Sequence, residues 1–208
     1  MFWEHTNLCK VLFPKVIWKI STLDKKIYLT FDDGPTPGIT PLVLSFLKQY
    51  KAKATFFMLG IQAEQYPELV SQIQNEGHLV ANHGYRHIDG FFSSTTHYIK
   101  NAEDGAVITG SALFRPPYGR LTPWQLTHLK KKHKIVLWSC MSMDFSAKYT
   151  PEQCLRKTIR SIHPGAIMVF HDTEKAAYNL IKILPELLKR LESDNYQVET
   201  LPLLGNFH

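Results

Sequence analysis

Short apolar, β-branched runs alternate along the chain with longer stretches whose apolar residues recur at helical spacing. Lys26-Ile27-Tyr28-Leu29-Thr30-Phe31 predicts a strand, and Asp32-Asp33-Gly34-Pro35 after it a turn. Leu42, Val43, Phe46 and Leu47 mark one face of a helix over Pro41–Tyr50. Further strands are expected at 54–58, 78–81, 113–114, 135–138, 166–170 and 196–199. Helices are expected over 67–76, 95–108, 123–132, 151–161 and 176–191, three of them opening on proline. About seven strands separated by helices imply parallel strands joined by right-handed crossovers in an α/β domain. No Gly/Ser/Pro-rich linker and no internal repeat divides the chain.

Composition narrows this only a little. The chain has 208 residues, 44% of them hydrophobic and 20% charged, as in an ordinary soluble globule. It contains no run of roughly 18 apolar residues that would predict a membrane span. The first segment, Met1–Ile20, is apolar but interrupted by Glu4, His5, Asn7, Lys10, Pro14, Lys15 and Lys19. That pattern predicts a short amphipathic piece, residues 1–24, packing on a domain over 25–208 rather than a signal peptide. Three cysteines, Cys9, Cys140 and Cys154, are a sparse, odd set; with no recognisable signal they point to the cytoplasm rather than the cell surface. The net charge is +6, but its densest run, Lys130-Lys131-Lys132-His133-Lys134, lacks interleaved aromatics. It reads as a basic helix C-terminus, not a nucleic-acid patch.

Position matters more than composition. In parallel α/β folds, ligands bind at the C-terminal ends of the strands. Asp32-Asp33, His83 with His87, Arg115, Asp144 and His171 each follow a different predicted strand. His83 and His87 lie four residues apart, a spacing that converges two imidazoles on one ion. The chain holds ten histidines, so the pair is weak evidence by itself, and two unrelated loop histidines are the bland alternative. Asp32-Asp33 strengthens it. Strand alternation sends adjacent carboxylates to opposite sides, so one can ligate an ion while the other accepts a proton. Two histidines and one carboxylate leave coordination positions open for water and substrate.

Phe114-Arg115-Pro116-Pro117-Tyr118-Gly119 predicts a rigid turn that presents a backbone N–H and a guanidinium, the latter suited to gripping a carboxylate bidentately. Ile167-Met168-Val169-Phe170-His171-Asp172 reads as a buried strand ending in an imidazole fit for acid–base work.

Taken in order, Thr30-Phe31-Asp32-Asp33-Gly34-Pro35, His83-x-x-x-His87, Arg115-Pro116-Pro117-Tyr118-Gly119 and Ile167-x-Val169-x-His171 resemble the motifs of the polysaccharide deacetylases, the NodB-homology fold of carbohydrate esterase family 4. The resemblance runs from about Lys26 to Leu201. It implies a distorted (β/α) barrel and metal-dependent removal of N-acetyl groups from an amino-sugar glycan of the N-acetylglucosamine type. It implies Asp33, His83 and His87 as ligands of a divalent metal, zinc first, with cobalt, nickel or manganese as alternatives. Asp32 is then the general base, oriented by Arg115, and His171 the general acid, tuned by Asp144. The Tyr118 N–H is the oxyanion donor, Ile167 and Val169 meet the acetyl methyl, and Pro116 and Phe145 face the sugar.

Two positions depart from the family pattern. Gly84 stands where a Ser or Thr hydroxyl usually braces the metal loop, and Phe145 where a Trp is usual. Three other readings compete: hydrolysis of an O-acetyl or N-formyl group, a glycan-binding relative without turnover, and a non-haem iron site built on His87, Asp89 and His171.

Overall fold

The structure, a computed structural model, describes residues 16–203. Its strands are β1 (Lys26–Asp32), β2 (Ala54–Met58), β3 (Leu79–Asn82), β4 (Leu113–Phe114), β5 (Lys134–Ile135), β6 (Cys140–Met141), β7 (Ile167–His171) and β8 (Gln197–Val198). Helices α1 (Ile39–Gln49), α2 (Gly60–Gln65), α3 (Pro67–Asn75), α4 (Thr95–Thr109), α5 (Pro123–Leu129), α6 (Pro151–Arg160) and α7 (Glu174–Ser193) lie between them. The sheet runs β5-β4-β3-β2-β1-β7-β6, with β8 beside the start of β1. Each pairing between these strands is parallel, and the sheet curls into the distorted barrel expected.

Side-chain alternation divides each central strand between two layers. Ile27, Leu29 and Phe31 of β1 join Phe56 and Met58 of β2 and Met168 and Phe170 of β7 in the core beneath the helices. Leu180, Ile183, Leu184, Leu187, Leu188 and Leu191, the apolar face of α7, complete that layer. Tyr28, Phe57, Ala81 and Ile167 face the barrel interior instead. Helix starts are fixed locally. Thr150 accepts the Gln153 N–H at 3.3 Å, and Gln153 Oε1 accepts the Thr150 N–H at 2.9 Å, the reciprocal cap that opens α6.

Three elements differ from the sequence expectation. The strand expected at 135–138 ends at Ile135, because Leu137 N–H is taken by the Ile17 carbonyl at 2.7 Å. β6 was not expected at all; its ladder is provided by β7, through Cys140 beside Met168 and Met141 beside Val169. Helix α2 was likewise missed, since it opens on Gly60 with polar Gln62, Glu64 and Gln65.

The described part of the N-terminal segment lies in the gap between β5 and the start of β7. Val16, Ile17, Trp18 and Ile20 are buried there, with Ile17 N–H on the Ile135 carbonyl at 2.8 Å and Ile20 N–H on the Gly165 carbonyl at 2.9 Å. Residues 1–15 of the amphipathic piece expected over 1–24 lie outside the described residues. Among those described, no helix is long and apolar enough to cross a membrane.

Candidate active site

The parallel register of β1 and β7 sets Asp32 directly beside His171, and that of β1 and β2 sets Asp32 beside Phe57. Alternation turns Asp32 and His171 inward, at the strand ends where such folds bind ligands. Asp33 was expected on the opposite side. It is not there: its backbone adopts φ 76, a left-handed conformation that aspartate tolerates, and this turns its carboxylate back over the barrel mouth.

There Asp33 Oδ1 sits 3.3 Å from His83 Nε2 and 3.3 Å from His87 Nε2, the two ring centroids being 5.3 Å apart. Asp33, His83 and His87 are the group of potential ligand atoms found within 4.8 Å of one another among the described residues. His83 Nδ1 lies 2.8 Å from the Arg115 carbonyl. A carbonyl only accepts, so Nδ1 carries a proton and Nε2 is the ring atom turned toward Asp33. Burial and the adjacent His83 lower the affinity of His87 for a proton below the ordinary 6.5. Burial pushes the Asp33 carboxyl up, but His83, His171 and His87 outweigh it and hold it well below the ordinary carboxylate range. Asp33 Oδ1 nevertheless has no well-formed hydrogen bond although it is buried. One carboxylate oxygen and two imidazole nitrogens converging in this way can hold a single divalent cation between them.

Arg115 is fully buried under this mouth. Its Nη1 donates to Asp32 Oδ1 at 2.6 Å and to Thr30 Oγ1 at 2.7 Å. The bidentate grip expected from sequence is absent. The other side of the guanidinium is spent on backbone carbonyls, Leu137 at 3.1 Å and Val136 at 3.4 Å. Its carbon lies 4.0 Å from the Phe57 ring centroid, so the cation rests on an aromatic face as well as being hydrogen-bonded.

On the other flank, Asp144 Oδ1 lies 2.9 Å from His171 Nδ1. Burial by itself would lower His171, but Asp144, with Asp33 and Asp32 farther off, raises it to about 9. Asp144 is itself fixed: Ser142 Oγ donates to it at 2.8 Å, and Asn179 Nδ2 holds its carbonyl at 2.9 Å. Phe145 packs edge-on against His171 at 4.9 Å between centroids.

These groups open on a cleft of about 900 Å³ lined by Asp32, Asp33, His83, His87, Pro116, Tyr118, Phe145 and His171. Trp138, Met141, Phe91, Phe92, Arg120 and Lys175, none of them singled out from sequence, line it too. Ile167 and Val169, expected at the acetyl group, are fully buried in β7 and absent from the cleft wall. A three-residue alternation argument could place them on the inner face but could not tell wall from foundation. Asp89, needed for an iron site, is drawn away by Arg120 Nη1 at 2.8 Å and the Phe91 N–H at 2.9 Å.

The brace of the loop that carries His83 and His87 also escaped sequence reading. Gly84 has φ 87, and a Cβ there would meet Asn101 Nδ2 at 2.6 Å. Instead of a hydroxyl at position 84, two asparagines hold the loop. Asn82 Oδ1 accepts the Gly84 N–H at 2.7 Å, while Asn101 Oδ1 accepts the Arg86 N–H at 2.8 Å and Asn101 Nδ2 donates to the Arg86 carbonyl at 2.9 Å.

Comparison with known proteins agrees with this geometry. A family model described as polysaccharide deacetylase matches residues 19–135. A peptidoglycan-N-acetylglucosamine deacetylase of Bacillus cereus is 35% identical over 84% of this chain and 87% of its own length. A chitooligosaccharide deacetylase of Azorhizobium caulinodans is 33% identical over 74% of this chain and 77% of its own. The crystal structure of the Bc1960 peptidoglycan N-acetylglucosamine deacetylase, in complex with 4-naphthalen-1-yl-N-oxidanyl-benzamide, superposes with a TM-score of 0.84 at 29% identity, covering 95% of this chain and 96% of that one. The chain belongs to the polysaccharide deacetylase family and is a hydrolase of carbon–nitrogen bonds other than peptide bonds.

Proposed function

We propose that the chain hydrolyses the N-acetyl group of a glucosamine-type sugar within a glycan, using a divalent cation held by Asp33, His83 and His87. One observation carries this reading: the buried, unpartnered Asp33 Oδ1 faces two imidazole nitrogens 3.3 Å away, beside Asp32 and His171. Three ligands of this kind fit zinc, and also cobalt, nickel or manganese, with positions left for water and substrate. Such a cation supplies Lewis acidity toward water and toward the amide carbonyl.

The side chains supply the rest. Asp32 takes a proton from the attacking water, with Arg115 fixing the carboxylate through Oδ1. The water oxygen bonds to the acetyl carbon, and the Tyr118 N–H donates to the oxyanion that develops. Tyr118 adopts φ 58, so the Pro116-Pro117-Tyr118-Gly119 turn holds one fixed conformation. His171 then gives its proton to the sugar nitrogen as the C–N bond breaks, leaving acetate and a free amine. An amine leaves poorly without that proton, which is why an imidazole raised to about 9 by Asp144 suits the task. Trp138 and Met141 give the cleft apolar surface for the acetyl methyl, backed from below by Ile167 and Val169.

The N-acetylglucosamine in the name of the Bacillus cereus relative and the chitooligosaccharide in that of the Azorhizobium caulinodans relative support a glucosamine-type substrate. The test is acetate release from N-acetylglucosamine oligomers, peptidoglycan fragments and acetylxylan, with and without chelator. Chelator-sensitive release from the first two is expected. Release only from acetylxylan would shift the reading to an O-acetyl esterase, and glycan binding without any release would leave a binding protein.

A further inference from the structure

Beyond the reacting centre, two phenyl rings stand in the open. Phe91 is 50% and Phe92 86% exposed, and both line the cleft that contains Asp32 and His171. Scattered surface aromatics need no explanation, but these two sit on a rigidly built turn. Asp89 Oδ1 caps it through the Phe91 N–H, and the fully buried Gln125 donates to the Gly90 carbonyl at 2.9 Å. The backbone is so close that a Cβ on Gly90 would meet the Arg120 carbonyl at 2.5 Å.

The rings also continue a wall that starts at the metal ligands. The Tyr118 ring lies 4.4 Å from that of His87. The Arg120 guanidinium lies 5.9 Å from the Tyr118 centroid and 5.9 Å from that of Phe91. Arg120 is itself anchored on Asp89 at 2.8 Å. At about 900 Å³ the cleft is near the upper end of the roughly 300–1,000 Å³ usual for ligand pockets, more room than one sugar ring fills.

We propose that the Phe91–Phe92 turn is a distal sugar subsite, which stacks the apolar face of a pyranose beyond the reacting sugar and its immediate neighbour and makes the enzyme prefer longer oligosaccharides. This rests on the deacetylase reading above. A pyranose offers a face of C–H groups that matches a flat ring, while its rim hydroxyls reach the Arg120 side. A rigid aromatic gives that contact at little conformational cost.

The test compares the wild type with Phe91→Ala/Phe92→Ala, using the N-acetylglucosamine dimer and pentamer. Dissociation constants are measured by calorimetry with chelator present to suppress turnover, and kcat/KM by acetate release without it. The wild type is expected to prefer the pentamer. The variant is expected to lose about fivefold or more of the pentamer-to-dimer ratio in both measurements, the scale of one or two lost aromatic contacts. A ratio unchanged by the substitution, or no pentamer preference in the wild type, overturns the subsite. So does a wild type that self-associates beside a monomeric variant with its oligosaccharide preference intact, which would assign the rings to self-association. Binding with the expected ratio but no acetate release leaves the subsite standing and sinks the deacetylase reading instead.

Discussion

Asp144 grips His171 through both carboxylate oxygens: Oδ1 lies 2.9 Å from ring Nδ1, and Oδ2 accepts the His171 backbone N–H at 2.8 Å. The ring is thereby fixed in orientation, with Nδ1 protonated and Nε2 left as the atom that gives up a proton toward substrate. His171 is raised from 6.5 to about 9. Because the folded value exceeds the unfolded one, this pair stabilises the fold fully below about pH 6.5 and ceases to do so as the pH rises through about 9. In the mechanism proposed above the same protonation serves the leaving amine, so activity should fall along a basic limb lying between those two values. A bound cation offsets the contributions of Asp33 and Asp32 and moves the limb toward the lower end. In Asp144→Asn, burial acts unopposed and the limb should shift toward more acidic pH, with kcat lowered by about a hundredfold, the scale of a lost general acid. A pH–rate profile of both proteins decides it; an unmoved limb would mean another group is the acid.

Arg115 combines complete burial with an ion pair to Asp32 and hydrogen bonds to Thr30, Val136 and Leu137. Removing one partner of such a pair leaves a buried charge uncompensated, at about 3–5 kcal/mol. Arg115→Met should therefore lower the melting temperature by about 6–20 °C for a chain of this size. Arg115→Lys keeps the charge but not the planar fork, and should melt between the two with its rate reduced. Thermal unfolding and acetate release on both variants check this. A lysine variant equal to the wild type in stability and rate would show that charge alone, not the fork, is what the site needs.

The order of elements was legible because each β-branched run is followed by a helical face, and the chemistry was legible because unusual side chains cluster at run ends. What escaped depends on partners distant in sequence. β6 exists through its pairing with β7, and the strand over 135–138 was cut short by the backbone of Ile17. The turn of Asp33 toward the cleft comes from a single dihedral that alternation cannot foresee. Ile167 and Val169, which the resemblance implies at the acetyl methyl, are buried and absent from the cleft wall, because depth along the barrel is a property of its curvature rather than of their spacing. The aromatic wall was invisible for a similar reason. Phe91 and Phe92 reach the cleft only through contacts to Arg120 and Gln125, some thirty positions on.

The convergence of Asp33, His83 and His87 on one point predicts a measurable response to metal even without substrate. A cation bound at a hundred times its dissociation constant stabilises the folded state by about 2.7 kcal/mol. For a chain of this length that raises the melting temperature by about 5–10 °C. Zinc added to chelator-treated protein should produce this shift, and His83→Ala should abolish it. Asp32→Asn, which leaves the three ligands in place, should retain the shift while losing turnover. An equal shift in His83→Ala would place the ion elsewhere.

Gly84 offers the sharpest separation between family pattern and local geometry. Restoring the usual hydroxyl by Gly84→Ser looks like an improvement if only the pattern is considered. In this chain the position has φ 87, and a Cβ meets Asn101 Nδ2 at 2.6 Å. Asn101 cannot yield freely, since its amide holds both the N–H and the carbonyl of Arg86, one residue before His87. The serine should push that amide aside and loosen His87, weakening zinc binding by about tenfold or more, as loss of outer-shell support does. Asn101→Ala, which removes the brace without adding a side chain at 84, should weaken zinc binding to a similar degree. The double variant should then cost little more than either alone, because both changes act on one support. Zinc affinities by competition with a chromophoric chelator settle the matter: a Gly84→Ser protein that binds zinc more tightly than the wild type would show that the hydroxyl, and not the asparagine pair, is the better brace.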